Sequence, residues 1–103
     1  MSLVEWIWDA DKDRLNRIKH GGLSLADGVH ALSDPWGLSK PDPHPDGDRW
    51  RTIGMVAGVV CLFVVHTDPV LQEDGQDVGR IIGVRRAERR ERMAYEQRNF
   101  EDD

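Results

Sequence analysis

The spacing of apolar residues changes several times along the chain, and each change marks an element. Leu3 to Trp8 (LVEWIW) is dense in β-branched and aromatic residues; extended backbone would put Val4, Trp6 and Trp8 on one face, which predicts a short first strand. Asp9 offers an N-cap. Ala10 to His20 carries Asp11 and Asp13 at its start and Arg17, Lys19 and His20 at its end, the order a helix dipole favours, and Gly21-Gly22 stops it. Leu15 and Ile18 are the only clear apolar stripe on this helix. Ser24 with Asp27 resembles a capping box, and Leu25, Val29 and Leu32 follow at helical spacing, so a second short helix is expected to end before Asp34-Pro35.

Four of the five prolines fall between Pro35 and Asp48, which reads as a candidate edge strand at Trp36 to Ser39 followed by a loop from Lys40 to Asp48. Arg49 to Val56 alternates and then turns apolar, Ala57-Gly58 signals a hairpin, and Val59 to Thr67 opens with seven consecutive apolar residues. A strand without a polar face is covered on both sides, so this one belongs at the centre of the sheet. After an acidic loop, Asp68 to Asp77, the run Val78 to Val84 predicts a last strand, with Arg80, Ile82 and Val84 on one face and Ile81, Gly83 and Arg85 on the other. A final helix over about Arg86 to Arg98 has only Ala87, Met93, Ala94 and Tyr95 for apolar contacts. A seam so thin stabilises by roughly a few kcal/mol at about 25 cal/mol per Å², leaving the helix loosely laid on the sheet or completed by a partner. The expected class is α+β: a small antiparallel sheet with two N-terminal helices and one C-terminal helix, one domain over residues 1–98 and an acidic tail over 99–103.

Composition narrows this picture. A chain of 103 residues with 39% hydrophobic content has room for one modest core. The single cysteine, Cys61, excludes an internal disulfide and sits in an apolar run, as a core residue in a reducing compartment would. No apolar segment behind basic residues opens the chain, and the longest apolar run, Met55 to Val65, is about half a membrane span, so a cytoplasmic protein is expected, with no membrane partner. Charge is segregated. Arg80 to Arg92 holds six arginines against two glutamates, a surplus of four positive charges in a chain of net charge −5. Such a block reads as a face for an anionic partner, nucleic acid first, or as a solvated helix face with Glu88 and Arg92 paired one turn apart.

Asp42, His44, Asp46, Gly47 and Asp48 alternate like a calcium loop, but Ile53 stands where the closing glutamate belongs, so the stretch reads as a solvated turn and neither metal nor cofactor is expected. What remains is basic: His20 at a helix end, His66 where the buried strand emerges, Arg49 and Arg51 on its hairpin neighbour, and Arg80 and Arg85 on the last strand. Such groups suit RNA cleavage by the substrate's own 2′-hydroxyl. The RNA brings its nucleophile, and the protein holds the phosphate, neutralises its charge and moves protons.

Several pieces in order resemble the BrnT ribonuclease toxins of bacterial type II toxin-antitoxin operons. Trp8-Asp9, Lys12, Asn16 and Lys19-His20-Gly21 look like that family's opening W-D-x-x-K-x-x-x-N-x-x-K-H-G; Asp34-Pro35, Gly47-Asp48-Arg49 before Ile53-Gly54, Val64-Val65-His66-Thr67 and Arg80-Ile81-Ile82 with Arg85-Arg86-Ala87, Arg89-Arg90-Glu91-Arg92 and Tyr95 follow. Gly83 and Val84 replace the usual Ser and Ala, Gly22 lengthens the turn, and the loop Pro69 to Asp77 is long and acidic. The resemblance implies a RelE-like α+β fold, metal-independent cleavage of mRNA that arrests translation, and a BrnA-type antitoxin that neutralises the toxin and represses the operon, so that DNA is met only through the antitoxin. On this reading Arg80, Arg85, His66 and Arg49 surround the scissile phosphate, Lys19, His20, Arg51 and Arg86 bind RNA, and Arg89, Arg90 and Tyr95 meet the partner. The rival reading is a degenerate, non-catalytic toxin acting as antitoxin partner and co-repressor, favoured by Gly83 in place of serine. A plain α+β domain with an arginine-rich solvated helix is the third.

Overall fold

The computed structural model describes residues 3–45 and 47–100; Asp46 of the predicted acidic turn and residues 101–103 of the predicted tail lie outside the described residues. In chain order come β1 (Val4–Ile7), α1 (Ala10–Lys19), α2 (Asp27–Leu32), β2 (Leu38–Pro41), β3 (Trp50–Val56), β4 (Val60–His66), β5 (Val70–Leu71), β6 (Asp77–Arg86) and α3 (Arg89–Gln97). Three helices and one six-stranded sheet make the α+β class expected, with the strands ordered β1-β6-β4-β3-β2 and β5 also on β6. The sheet is mixed, which corrects the expectation of an antiparallel one: β1 runs parallel to β6, from Val4 opposite Asp77 to Ile7 opposite Arg80. Alternation marks a strand but does not encode the direction of its neighbour. Lys40 and Pro41, expected in the loop, extend β2, where an edge position tolerates a residue without an N–H. The predicted loop after Asp68 likewise contains β5. Among the described residues no helix is long and apolar enough to cross a membrane.

The apolar run of β4 lies between β6 and β3, as its lack of a polar face predicts. Leu62 and Val64 join Leu25, Ala31, Ile81 and Val84 in a cluster beneath α2, while Cys61 and Phe63 join Ile53 and Ala87 on the opposite face, where α3 packs. The box before α2 is reciprocal: the Asp27 amide donates to Ser24 Oγ (3.3 Å) and the Ser24 amide to Asp27 Oδ2 (2.9 Å). α2 then crosses β3 so closely that a Cβ on Gly54 would sit 2.8 Å from the Ala31 carbonyl carbon, leaving room for glycine alone.

β6 is irregular, and the irregularity sets the site. Val65 of β4 lies opposite Gly83 but His66 lies opposite Ile81, so Ile82 is the extra residue of a β-bulge. The predicted alternation therefore fails here: Ile81 and Val84 both face α2, instead of lying on opposite faces. β1 covers only Asp77 to Arg80 of the outer edge. Beyond it α1 takes over, through Asn16, the one fully buried residue of that helix. Its Nδ2 donates to the carbonyls of Leu23 (2.8 Å) and Val84 (2.9 Å), and its Oδ1 accepts from the Val84 amide (3.1 Å), so one side chain stands in for a neighbouring strand.

α3 begins at Arg89, three residues later than expected, because β6 continues to Arg86 and Glu88 and Glu91 form a capping box. None of its residues is fully buried. Polar contacts hold it where apolar ones cannot: the Tyr95 hydroxyl donates to Asp34 Oδ2 (2.6 Å), which also accepts from the Met55 amide (2.8 Å), and Arg92 donates to the Ala87 carbonyl (2.7 Å). Phe100 folds back on the sheet, with Lys40 Nζ 4.3 Å from its ring centre.

Candidate functional site

Because β1 stops at Ile7, the second half of β6 and the turn after α1 border an open cleft. Lys12, Asn16 and Lys19 recur at helical spacing along one side of α1 and line it with Leu15, His20, Ile82 and Gly83. Next to it, and sharing Lys19 and His20, lies a basic hollow of about 450 Å³ bounded by Gly21, Leu23, Arg85, Arg86 and Glu88. Gly21 and Gly22, both at positive φ, let the chain turn there and bring His20 towards β6. Elsewhere on α1 the arginines are matched by acids, Arg17 to Asp13 (3.4 Å) and Arg14 to Asp11 (4.0 Å). Lys12, Lys19 and Arg86 make no such pair among the described residues, so the positive field of this region falls into the cleft.

Two groups have environments that bear on chemistry. Burial first, then the charges of Lys19 and Arg85, hold the His20 imidazole below its ordinary value of 6.5, so the ring is neutral at pH 7 and able to accept a proton. Arg85 is committed elsewhere. Its two terminal nitrogens grip Glu91 at 2.8 and 2.9 Å, and its guanidinium lies 4.0 Å from the centre of the Phe63 ring. Burial works against the Glu91 carboxylate, but the hydrogen bonds from Arg85 and the Glu88 amide prevail and keep it ionised, below the usual carboxylate range. Arg85 thus contributes positive charge to the cleft without a free fork for a phosphate.

The remaining predicted residues are elsewhere. His66 faces α2, 6% exposed, with Nδ1 2.8 Å from the Thr67 carbonyl, Nε2 2.7 Å from Thr52 Oγ1, and Trp6 edge-on to its ring. A carbonyl only accepts, which fixes the proton of the neutral ring on Nδ1; Thr52 then donates to Nε2, and Ser39 donates to Thr52 across 2.6 Å. Both ring nitrogens are satisfied, and burial, opposed by the Thr67 carbonyl and by Asp68 and Asp48, lowers the pKa. These residues wall a separate cavity of about 300 Å³ with Trp50, Asp34 and Asp68. Arg51, opposite Val65, points to the α3 face, and alternation from the buried Ile81 puts Arg80 on that face too. Arg80 is exposed, anchored through its backbone to Thr67, and five residues from Arg85, about 16 Å at the usual strand rise. Arg49 precedes β3, its carbonyl accepting from the Asp42 amide. The sheet thus separates His66 from the arginines, while Lys19, His20, Arg85 and Arg86 do come together. Of the residues assigned to a partner, Arg89 and Arg90 are on the exposed first turn of α3, and Tyr95 uses its hydroxyl on Asp34.

Comparison with known proteins adds an independent finding. The family described as "Ribonuclease toxin, BrnT, of type II toxin-antitoxin system" matches residues 8–91. The chain belongs to the BrnT toxin family. Its structure is similar to the 1.1 Å crystal structure of the Brucella abortus ribonuclease toxin BrnT, with 30% sequence identity, a TM-score of 0.57, and coverage of 84% of this chain and 100% of the other. No individually curated protein matches it. Membership of a type II toxin family implies an antitoxin protein as partner.

The stretches that carried the BrnT resemblance converge in space. Lys12, Asn16, Lys19 and His20 from the opening motif meet Gly83, Arg85 and Arg86 from the last strand. Lys12 and Asn16 belong to the cleft although charge clustering did not single them out; their spacing of four and three residues up to Lys19 was the available signal. Gly83, in place of the serine expected from the resemblance, is part of the cleft wall.

Proposed function

We propose that the chain is a cytoplasmic, RelE-like endoribonuclease toxin whose α1–β6 cleft binds the RNA backbone and cleaves it without a metal. The convergence of Lys12, Lys19, His20, Arg85 and Arg86 on one open groove is the observation that carries this reading. Lys12, Lys19 and Arg86 hold the phosphodiester and Arg85 adds field from behind. Neutral His20 takes the proton as the 2′-oxygen attacks phosphorus. The bond to the 5′-oxygen breaks, that oxygen takes a proton from water in the open cleft, and the products are a 2′,3′-cyclic phosphate and a 5′-hydroxyl. Loss of intact mRNA arrests translation, and a BrnA-type antitoxin neutralises the activity and carries the complex to operator DNA.

The test is incubation of the purified chain with single-stranded RNA. His20→Ala is expected to lower cleavage by about a hundredfold or more, the usual contribution of a positioned base, and Arg86→Ala to weaken RNA binding. If Arg80→Ala stops the reaction while His20→Ala does not, the chemistry belongs at the other end of the sheet. A second reading has its own support: Gly83 gives the cleft no hydroxyl, and Glu91 occupies Arg85. Intact RNA together with tighter operator binding by the antitoxin when this chain is added would establish a non-catalytic co-repressor.

A further inference from the structure

The two large apolar side chains of α1 are turned outward. Leu15 is 55% exposed and Ile18 is 72% exposed, one turn apart on the same side of the helix, in a molecule that buries aliphatic residues beneath α2 and α3. Scattered exposed apolar residues are ordinary and carry nothing alone. Here Leu15 is also a wall of the basic cleft, beside Ile82, which the β-bulge leaves unpaired in the ladder. Apolar and cationic surfaces are thus continuous: Ile18, then Leu15 and Ile82, then Lys12, Lys19 and His20, then Arg86.

We infer that the antitoxin docks here, as an acidic amphipathic segment whose apolar side covers Ile18 and Leu15 and whose carboxylates reach Lys12, Lys19 and Arg86. Charge complementarity argues for that occupant. The chain carries −5 overall, so an acidic partner is repelled by most of its surface and is drawn to a local excess of unpaired cations. A neutral helix would leave the lysines without counter-charges, and a second copy of the same face would set lysine against lysine. Neutralisation is then occlusion: the segment occupies the groove that RNA needs. This rests on the cleft assignment made above for the RNA.

The experiment uses the full chain and the full-length antitoxin encoded beside it, with binding measured by titration calorimetry and cleavage measured on single-stranded RNA. Ile18 lies outside the cleft wall. Ile18→Asp is expected to weaken antitoxin binding at least tenfold, as loss of a central apolar anchor does, and to leave RNA cleavage and the melting temperature at parental levels. Lys12→Glu/Lys19→Glu loses both partners, and a short RNA competes with the antitoxin for the parent chain. Parental affinity in Ile18→Asp overturns the inference, as does a ternary complex with RNA, loss of binding through Met93→Ser on α3 instead, or a free toxin that proves to be a dimer dissociated by Ile18→Asp. If no RNA is cut by any form while Ile18→Asp still releases the antitoxin, the docking surface stands and the nuclease reading fails.

Discussion

At the scale of single residues the decisive property is which side chains are already committed. His20 has its pKa lowered by burial, Lys19 and Arg85, so the acid limb of kcat/KM, which reports the free enzyme, is expected below the ordinary value of 6.5. Lys19→Gln removes one of the charges disfavouring the imidazolium, so the limb moves to higher pH, and rates measured from pH 4 to 8 decide this. Tyr95 and Asp34 supply the second case. The hydrogen bond to Asp34, then burial, pushes the Tyr95 hydroxyl up to about 12. For Asp34 burial acts upward, but that bond and the Met55 and Trp36 amides prevail and lower it. A raised folded-state value means that the tyrosine's contribution is complete below its ordinary 10.0 and is lost as pH rises through about 12. Asp34 has the opposite sense, contributing above its ordinary 3.8 and losing that contribution as pH falls. Tyr95→Phe is therefore expected to cost about 1–2 kcal/mol in urea unfolding at pH 7, at or below the lower end for a hydrogen bond to a charged group because both side chains are partly exposed. The gap to the parent should narrow as the pH approaches 12.

At the scale of elements α1 is tied to β6 by the hydrogen bonds of Asn16. Asn16→Ala leaves the Val84 amide and two carbonyls without partners, which should cost roughly 3 kcal/mol and lower the melting temperature by about 10–20 °C in a domain of this size. Asn16→Asp is expected to do no better, since its carboxylate would face the carbonyls of Leu23 and Val84. Thermal melts of both variants check this. Elements defined by strong local patterns were legible in the sequence: the seven apolar residues of β4 and its central place, the glycine stop of α1, and the Ser24–Asp27 box. What was not legible depends on contacts distant along the chain. The parallel pairing of β1 leaves no mark on alternation. The bulge at Ile82 broke the period that had been assumed to hold, and Leu15 and Ile18, the apolar stripe of α1, face outward because α1 is tethered through Asn16. The arginines were recognised from charge, but grouping them with His66 required knowing which face of the sheet each strand turns towards them.

Over the whole molecule the notable property is a net acidic protein with Lys12, Lys19 and Arg86 gathered at one groove. RNA affinity should therefore depend on salt through few contacts. With Lys12, Lys19 and Arg86 each meeting one phosphate, the plot of log K against log salt is expected to have a slope of about −2, at roughly −0.7 per contact on a single strand. Lys19→Ala should make the slope shallower by about one such increment, and filter binding from 50 to 300 mM salt reads it directly. The spare residue in β6 has a further consequence for how the gene can change. Deleting Ile82 would restore an even beat to the strand and leave Gly83 to Arg86 opposite the same partners on β4, so Val84 would stay beneath α2 and the guanidinium of Arg85 would keep Glu91. A three-nucleotide in-frame loss at that codon should thus be less damaging than the same loss within β4, which has no spare residue and where every position beyond the gap would change faces.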